Sequence, residues 1–418
     1  MEDEVDRLVS IDLIIDVETE KERRRVMQYR LDKYGNKISI LGYGCMRFTN
    51  TAGKIDIPKT QEEIKTAIEH GINYYDTAYM YPGSEAALGT ILKTLNARDK
   101  VYIATKLPHY MVKKASDFDK FFLEELARLQ TDHVDYYLIH MLTNAESWER
   151  LCGLGIREWI DQKKQEGKIR QIGFSFHGGT ESFLKILDAY DWEFCQIQYN
   201  YVDEHSQAGV KGLKYAAEKG IPVVIMEPLR GGRLADKLPE AAYEVFEKYP
   251  VKRSPAAWGF RWLWNQPEVT CVLSGMNSLQ MLQDNLETAD SIHEGELTEE
   301  EMQVYRKVVD IINAKVKVPC TGCRYCMPCP RGVDIPGCFA AYNHGSSDGF
   351  MTGFKEYIMC MVLRQNYTGV SNCIACGKCE QHCPQGIEIR KELKNIKRKY
   401  ENPPLKLAIK ITPKVVKY

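Results

Sequence analysis

The chain has 418 residues, 44% of them hydrophobic and 27% charged, with a formal charge of −1 at pH 7. That length holds one large core plus a smaller domain. So balanced a charge gives no electrostatic reason for a nucleic-acid or membrane-surface partner, and no apolar stretch approaches the length that spans a bilayer.

Met1 is followed by Glu-Asp-Glu, the wrong sign for a secretory or transit segment. Residues 1–26 are acidic, then basic, carry no motif and read as an N-terminal extension. MQYRLDKYGNKISI, from Met27, has the pattern of a hairpin turning at Gly35-Asn36, placed as a plug over the N-terminal end of the domain it opens. Apolar β-rich runs come next, at 38–44, 72–78, 101–106, 135–140, 169–176, 193–200, 222–228 and 269–275. Helical stretches alternate with them. PKTQEEIKTAIEHG has Thr60 and Glu63 at capping-box spacing, and the helix at 209–220 stops at Gly220. Eight strand–helix units predict an α/β fold, a (β/α)8 TIM barrel over 27–295. An open doubly wound sheet is the runner-up, but no G-x-G-x-x-G follows the first strand. The aromatic helix SPAAWGFRWLW faces either a neighbour or the barrel.

A linking helix is predicted over 296–318, a small α-rich domain over 319–400 and a tail over 401–418. The small domain carries two cysteine runs. The first holds Cys320, Cys323, Cys326 and Cys329 ahead of Pro330, and the second Cys373, Cys376, Cys379 and Cys383 ahead of Pro384. The second is C-x2-C-x2-C-x3-C-P, the ferredoxin-type spacing in which three close thiolates hold one 4Fe–4S cluster and the fourth crosses to the other. Two clusters are therefore expected, with Cys320, Cys323, Cys326 and Cys383 as one set. Cys373, Cys376, Cys379 and Cys329 form the other. The first run has one residue fewer before its last cysteine, which leaves the role of Cys329 open. Zinc ribbons are the competing reading, though they need no third close cysteine. Cys45, Cys152, Cys195, Cys271, Cys338 and Cys360 have no such spacing and read as buried small hydrophobes. Metal-spaced thiols without an export signal point to a reducing cytoplasm.

Reactive side chains of a TIM barrel sit at the C-terminal ends of its strands. Asp76, Tyr81, Lys106 and His140 fall there. Singly, each has a plain structural role open to it, as a helix cap, loop packing or a core histidine. Together, in DTAYMY, ATK, YYLIH and IGFS, they make residues 27–290 resemble the aldo/keto reductase superfamily. The resemblance implies a catalytic tetrad. A carbonyl receiving hydride develops negative charge on oxygen and needs a proton donor with positive charge nearby. Tyr81 is the expected acid, its pKa lowered by Lys106. Asp76 is expected to hold Lys106, and His140 to fix the carbonyl oxygen.

The same resemblance implies an NAD(P) site at Gly44, Ser175, Gln196, Met226, Pro228, Leu229, Gly231, Gly232, Asp284 and Asn285. Phe176 and Met226 depart from the family pattern, and its 2′-phosphate-binding basic residues fall on Gly275 and Met281. NADPH is thus not favoured over NADH. Arg47, His109, Tyr110 and His177 are expected to line the substrate pocket, with Arg47 suggesting an anionic small-molecule substrate. CMPCPRGVDIP, FAAYN and CGKCEQHCPQGIEI extend the resemblance to aldo/keto reductases with a ferredoxin-like C-terminal domain. Nicotinamides pass two electrons and clusters pass one, so three arrangements stay open. The clusters are structural or redox-sensing, or they carry electrons from a ferredoxin or similar carrier, or a flavin couples the two. A non-catalytic electron-transfer or scaffold subunit is the remaining alternative. Oligomeric state is not legible.

Overall fold

The computed structural model describes residues 27–406 except 315, 321, 323–325, 364–365 and 384–385. The N-terminal extension, Cys323 and most of the C-terminal tail lie outside the described residues. The chain enters through an antiparallel hairpin, β1 (Tyr29–Leu31) and β2 (Lys37–Ser39), and a second small hairpin, β4 (Asn50–Thr51) with β5 (Lys54–Ile55), follows β3 (Leu41–Gly44). β3 is the first barrel strand. The others are β6 (Tyr74–Asp76), β7 (Tyr102–Leu107), β8 (Val134–Leu142), β9 (Ile169–Phe176), β10 (Phe194–Gln198), β11 (Val223–Met226) and β12 (Val269–Ser274). These eight close into one all-parallel barrel in chain order, β12 pairing with β3. The TIM barrel is present, and each of its strands overlaps an apolar run of the sequence.

Around it lie α1 (Ile57–Glu69), α2 (Ser84–Thr94), α3 (Ser116–Leu129), α4 (Ala145–Cys152), α5 (Ile156–Gln165) and α6 (Thr180–Ala189). α7 (Gly209–Glu218), α8 (Arg233–Asp236), α9 (Glu240–Lys248), α10 (Pro255–Trp264) and α11 (Leu279–Ser291) complete the ring. α3 shows why they form: Phe118, Phe121, Phe122, Leu126 and Leu129 fall on one face and are buried against the barrel. α1 corrects the sequence reading. Its cap is Asp56, whose carboxylate accepts from the Lys59 backbone N–H at 3.3 Å, while Thr60 lies buried inside the helix. Pro58 sits in the first turn, where its missing N–H costs nothing. α10 is buried from Ala257 to Trp264, so barrel packing accounts for its aromatic surface.

The hairpin seals the barrel's N-terminal end. Ile38 packs with Tyr74, Tyr136, Leu138 and Phe194 inside the barrel. Asp32, in the turn, accepts hydrogen bonds from the Tyr136 hydroxyl (2.7 Å), the Asn36 side chain (2.8 Å) and the Gln171 amide.

Beyond α12 (Glu299–Asn313), entered through a Thr298–Glu301 capping box, the chain builds a second, smaller core. It is formed by α13 (Ile335–Ser347), α14 (Phe350–Tyr357), α15 (Lys378–Gln381) and α16 (Ile389–Tyr400). α13 and α14 cross tightly at Gly345 and Gly353, where any Cβ would meet the Tyr400 hydroxyl at 1.9 and 2.2 Å. Asn343 pins the segment leading to Cys320, accepting from the Val318 N–H at 2.9 Å and donating to its carbonyl at 2.8 Å.

Asp32→Ala should lower stability by roughly 2–3 kcal/mol, because it strands the Tyr136 hydroxyl and the Gln171 amide in a buried setting; chemical denaturation measures it. Burial pushes the Asp32 carboxyl up, but hydrogen bonds from Tyr136, Asn36 and Gln171 hold it below the usual carboxylate range. With the folded value below the unfolded one, this contribution is complete above the ordinary carboxylate pKa and fades as pH falls through the folded value.

Candidate active site and cysteine cavity

β6 and β7 are hydrogen-bonded neighbours, which brings Asp76 and Lys106 together at the C-terminal end of the barrel. The pair is 3% and 1% exposed. The Lys106 ammonium donates to both Asp76 oxygens at 2.6 Å and to the Thr77 carbonyl at 2.7 Å. Burial pushes the Asp76 carboxyl up and the Lys106 charge pulls it back. Lys106 Nζ also lies 5.2 Å from the centre of the Tyr81 ring, and the Tyr81 and His140 rings meet edge to face at 6.0 Å. All four predicted tetrad residues therefore share one site.

The protonation states differ from expectation in one respect. The Tyr81 hydroxyl is pushed well up, first by burial and then by the Asp76 and Glu227 charges. These outweigh whatever the neighbouring Lys106 ammonium, shared with Asp76, does to favour the phenolate. Tyr81 is thus a firmly protonated donor. Burial and the Lys106 charge hold His140 well below its ordinary pKa, so its ring is neutral, and among the described residues Nδ1 has no hydrogen-bond partner.

His140 owes its aim to a β-bulge. Pairing of β8 with β9 shifts register between Ile139 and Leu142, and Met141 takes φ +59°. The Met141 N–H, lost to the ladder, is accepted by the Ser175 hydroxyl at 2.8 Å. No sequence pattern announces this bulge.

Of the residues expected at a nicotinamide, Gln196 is 2% exposed, donates weakly to Asp76 at 3.4 Å and leaves its Oε1 without a partner among the described residues. An orphaned acceptor beside a Ser175 hydroxyl that keeps its own proton suits a carboxamide. Gly44 ends β3 and packs against the Ser274 backbone. Met226 ends β11, and Pro228 lies just past it. Leu229 packs onto α10 at Gly259, and Gly231 and Gly232 have φ +68° and +90°. Asp284 accepts from the Ser254 hydroxyl at 2.7 Å, and Asn285 donates to Ser274 at 3.0 Å. Among the expected substrate contacts, His109 is buried with its pKa lowered to about 3 by burial and Arg150. Tyr110 sits between His109, which it meets edge to face at 5.6 Å, and His140, tilted at 6.5 Å. Arg47 lies against Gly231 and Gly275. His177 follows β9 and faces a cavity.

That cavity, of about 560 Å3, was not legible in the sequence. The barrel loops contribute His177, Gln198 and Arg230, and the C-terminal region contributes Cys320, His344 and Cys360. An ionic network crosses beside it. Arg230 donates to Asp203 at 2.7 Å, and His344 reaches Asp203 at 3.5 Å and also pairs with Glu356. Burial pulls the His344 pKa down, but Glu356 and Asp203 outweigh it and push it up to about 10.

Cys329, Cys373, Cys376 and Cys379 line one small cavity, with Gly377 and Arg390. That is the crossover set, with Cys329 at the position its shortened spacing left open. The Ala375 N–H points to Cys373 Sγ at 3.4 Å, and Ala375 and Gly377 have φ +55° and +77°, turning backbone amides inward. Four thiols are the ligand chemistry of an iron–sulfur cluster, although among the described residues no three Cys, His, Asp or Glu side chains are placed to hold a metal ion. Cys320, Cys326 and Cys383 are half-buried elsewhere. The remaining cysteines only partly match expectation: Cys45, Cys195, Cys271 and Cys338 are buried, whereas Cys152 and Cys360 are half-buried.

The sequence profile of the aldo/keto reductase family matches residues 40–310. The chain belongs to the aldo/keto reductase family. A 4Fe-4S dicluster domain matches residues 319–388. L-galactose dehydrogenase of Arabidopsis thaliana is 26% identical over 278 residues, 61% of this chain and 86% of the plant protein. An uncharacterized oxidoreductase of Bacillus subtilis, YqkF, is 25% identical over 299 residues, 64% of this chain and 91% of its own. Among solved structures, an aldo-keto reductase of Bacillus halodurans in holo form has TM-score 0.57 and 25% identity, covering 68% of this chain and 96% of that one. An aldo/keto reductase of Klebsiella pneumoniae, solved with NADP and acetate, shares the fold at TM-score 0.54 and 23% identity, with coverage of 68% and 96%. This protein is thus an aldo/keto reductase oxidoreductase with an iron–sulfur domain. Among the described residues no helix is long and apolar enough to cross a membrane.

Lys106→Met should abolish turnover and cost about 3–5 kcal/mol, since Asp76 is left buried and uncompensated. Denaturation of Lys106→Met against the double variant Asp76→Asn/Lys106→Met should show most of that stability returning in the double.

Proposed function

We propose that the barrel interconverts a carbonyl and an alcohol on a small molecule, with Tyr81 as proton donor and His140 as the hydrogen-bond donor that orients the carbonyl oxygen. The observation that carries this is the buried Asp76–Lys106 pair set beside Tyr81. As the carbonyl oxygen gains charge, Tyr81 gives up its proton, and the Lys106 ammonium stabilises the tyrosinate left behind. Neutral His140 lowers the barrier without donating its proton outright. In the alcohol direction the same proton returns to Tyr81.

A nicotinamide, when bound, supplies the hydride; Ser175 and Gln196 would hold its carboxamide. The balance is then complete: two electrons and one proton arrive as hydride, and Tyr81 adds the second proton. Two 4Fe–4S clusters, when bound, exchange one electron each. The cavity shared by His177 and Cys320 favours a role for them in the same redox path, fed by a ferredoxin or similar carrier. Its volume falls in the range of small-molecule sites and would also admit a flavin. Cytoplasmic residence, inferred from the thiols, agrees with this chemistry.

Three measurements test the reading. Tyr81→Phe should lower kcat at least about 100-fold with cluster absorbance unchanged; preserved turnover removes Tyr81 from its role. Cys376→Ser should lose about four irons per chain. In the intact protein, anaerobic addition of NADH or NADPH, followed by EPR, should reduce the clusters. Reduction by dithionite alone would separate the nicotinamide chemistry from the cluster path.

A further inference from the structure

The two cysteine runs look in different directions. Cys320 of the first lines the cavity that His177 lines from the barrel side. The second run opens to solvent. Cys376 is exposed, and Ile374, between Cys373 and Cys376, is 62% exposed. An electron passing between a partner and the barrel thus meets the outer set of thiols first and the inner set second.

Positive charge gathers around the outer set. The whole chain sums to −1, yet residues 378–399 hold seven basic side chains against three acidic. α16 brings most of them to one face. Its apolar residues Ile389, Leu393, Ile396 and Tyr400 are buried on one side. Arg390, Lys394, Lys397 and Arg398, at spacings of four, seven and eight residues, form a stripe beside them. That stripe begins at the cysteines, because Arg390 and Arg331 line the cavity of Cys329, Cys373, Cys376 and Cys379. Arg390 is committed to Glu380. Lys378, Lys394 and Arg398 are exposed, and among the described residues none of them has an ion pair. The plain role for such cations is to offset thiolate charge, and it serves for Arg331 and Arg390. Lys394 and Arg398 lie about 6 and 12 Å further along the helix, too far for contact with the cysteines.

We infer that this face docks an acidic protein that carries single electrons, with Ile374 as the central apolar contact and the α16 stripe as a steering rim. The inference rests on the proposed part of the clusters in the redox path. In each encounter one electron passes from the reduced carrier to the outer cluster. The carrier is oxidised, the cluster is reduced, and no proton or bond is exchanged. An anionic membrane surface would be drawn to the same charges. One exposed isoleucine gives it little to bury, however, and a lipid carries no electron.

The test uses the full-length protein, purified anaerobically with its clusters, and an acidic 2Fe–2S ferredoxin as the probe. Stopped-flow absorbance follows cluster reduction by the photoreduced ferredoxin, and calorimetry measures the affinity of the oxidised pair. In wild type both should weaken steeply as salt rises. The double variant Lys394→Glu/Arg398→Glu should lose about 10- to 100-fold in rate and in affinity at low salt. Lys394→Gln/Arg398→Gln should fall between, and Lys93→Glu, exposed on α2 of the barrel, should lose neither. Wild-type rate and affinity in the Glu double variant, or a wild-type rate indifferent to salt, overturns the docking face. So does binding to phosphatidylserine vesicles that the variant loses while its reduction by ferredoxin persists. Unaltered iron content and dithionite reduction in the variants show that any loss is one of docking. If wild type holds no iron, or dithionite reduces nothing in it, the cluster reading fails and this inference with it.

Discussion

Everything at the catalytic end is arranged around two charges that water cannot reach. Lys106 and Asp76 are each almost wholly buried, and neither is tolerable there without the other. Parallel pairing of the consecutive strands β6 and β7 sets the two side by side, so the pair forms at the rim without any loop having to find it. Burial, with the Asp76 charge beside it, keeps the proton on Tyr81 until a reacting oxygen takes it. Low dielectric then gives the nearby ammonium more effect on a developing tyrosinate than it would have in water. His140 remains neutral through burial beside the Lys106 cation.

The C-terminal region docks on this same end of the barrel. Arg230 and Asp203 come from loops after the seventh and sixth strands, and His344 from α13 joins them. Arg233 reaches Asp348 and Thr352 across the same boundary. The barrel's own loop arginines thus serve as docking contacts, and a cavity remains between the two parts. A one-electron domain placed over a two-electron site gives that cavity its interest. The short π-helix at Ile358–Val362, carrying Cys360, opens onto it.

The elements with a strong periodic signal were legible in the sequence. Eight apolar runs separated by amphipathic helices leave few ways to bury every strand on both faces, and the barrel is one of them. Local capping was less legible. Thr60 and Glu63 have the spacing of a cap, yet Asp56 fills that role, because Ile57 and Pro58 already belong to the helix. The bulge at Met141 depends on a hydroxyl from the next strand, and so has no local signature. Cys360 resembles any small hydrophobe until the fold turns it toward a cavity.

By itself the sequence determined what each short segment can do: which runs are strands, which cysteines are spaced for clusters, and which residues fall at strand ends. Those properties follow from periodicity and residue chemistry within a few positions. The tertiary structure decided what depends on distance between segments remote in the chain. It set the proton on Tyr81, joined Cys329 to the second cysteine run in one cavity, and laid Arg47 over Gly231 and Gly275. Desolvation and electrostatics depend on what surrounds a group in space, and chain order alone does not state those neighbours.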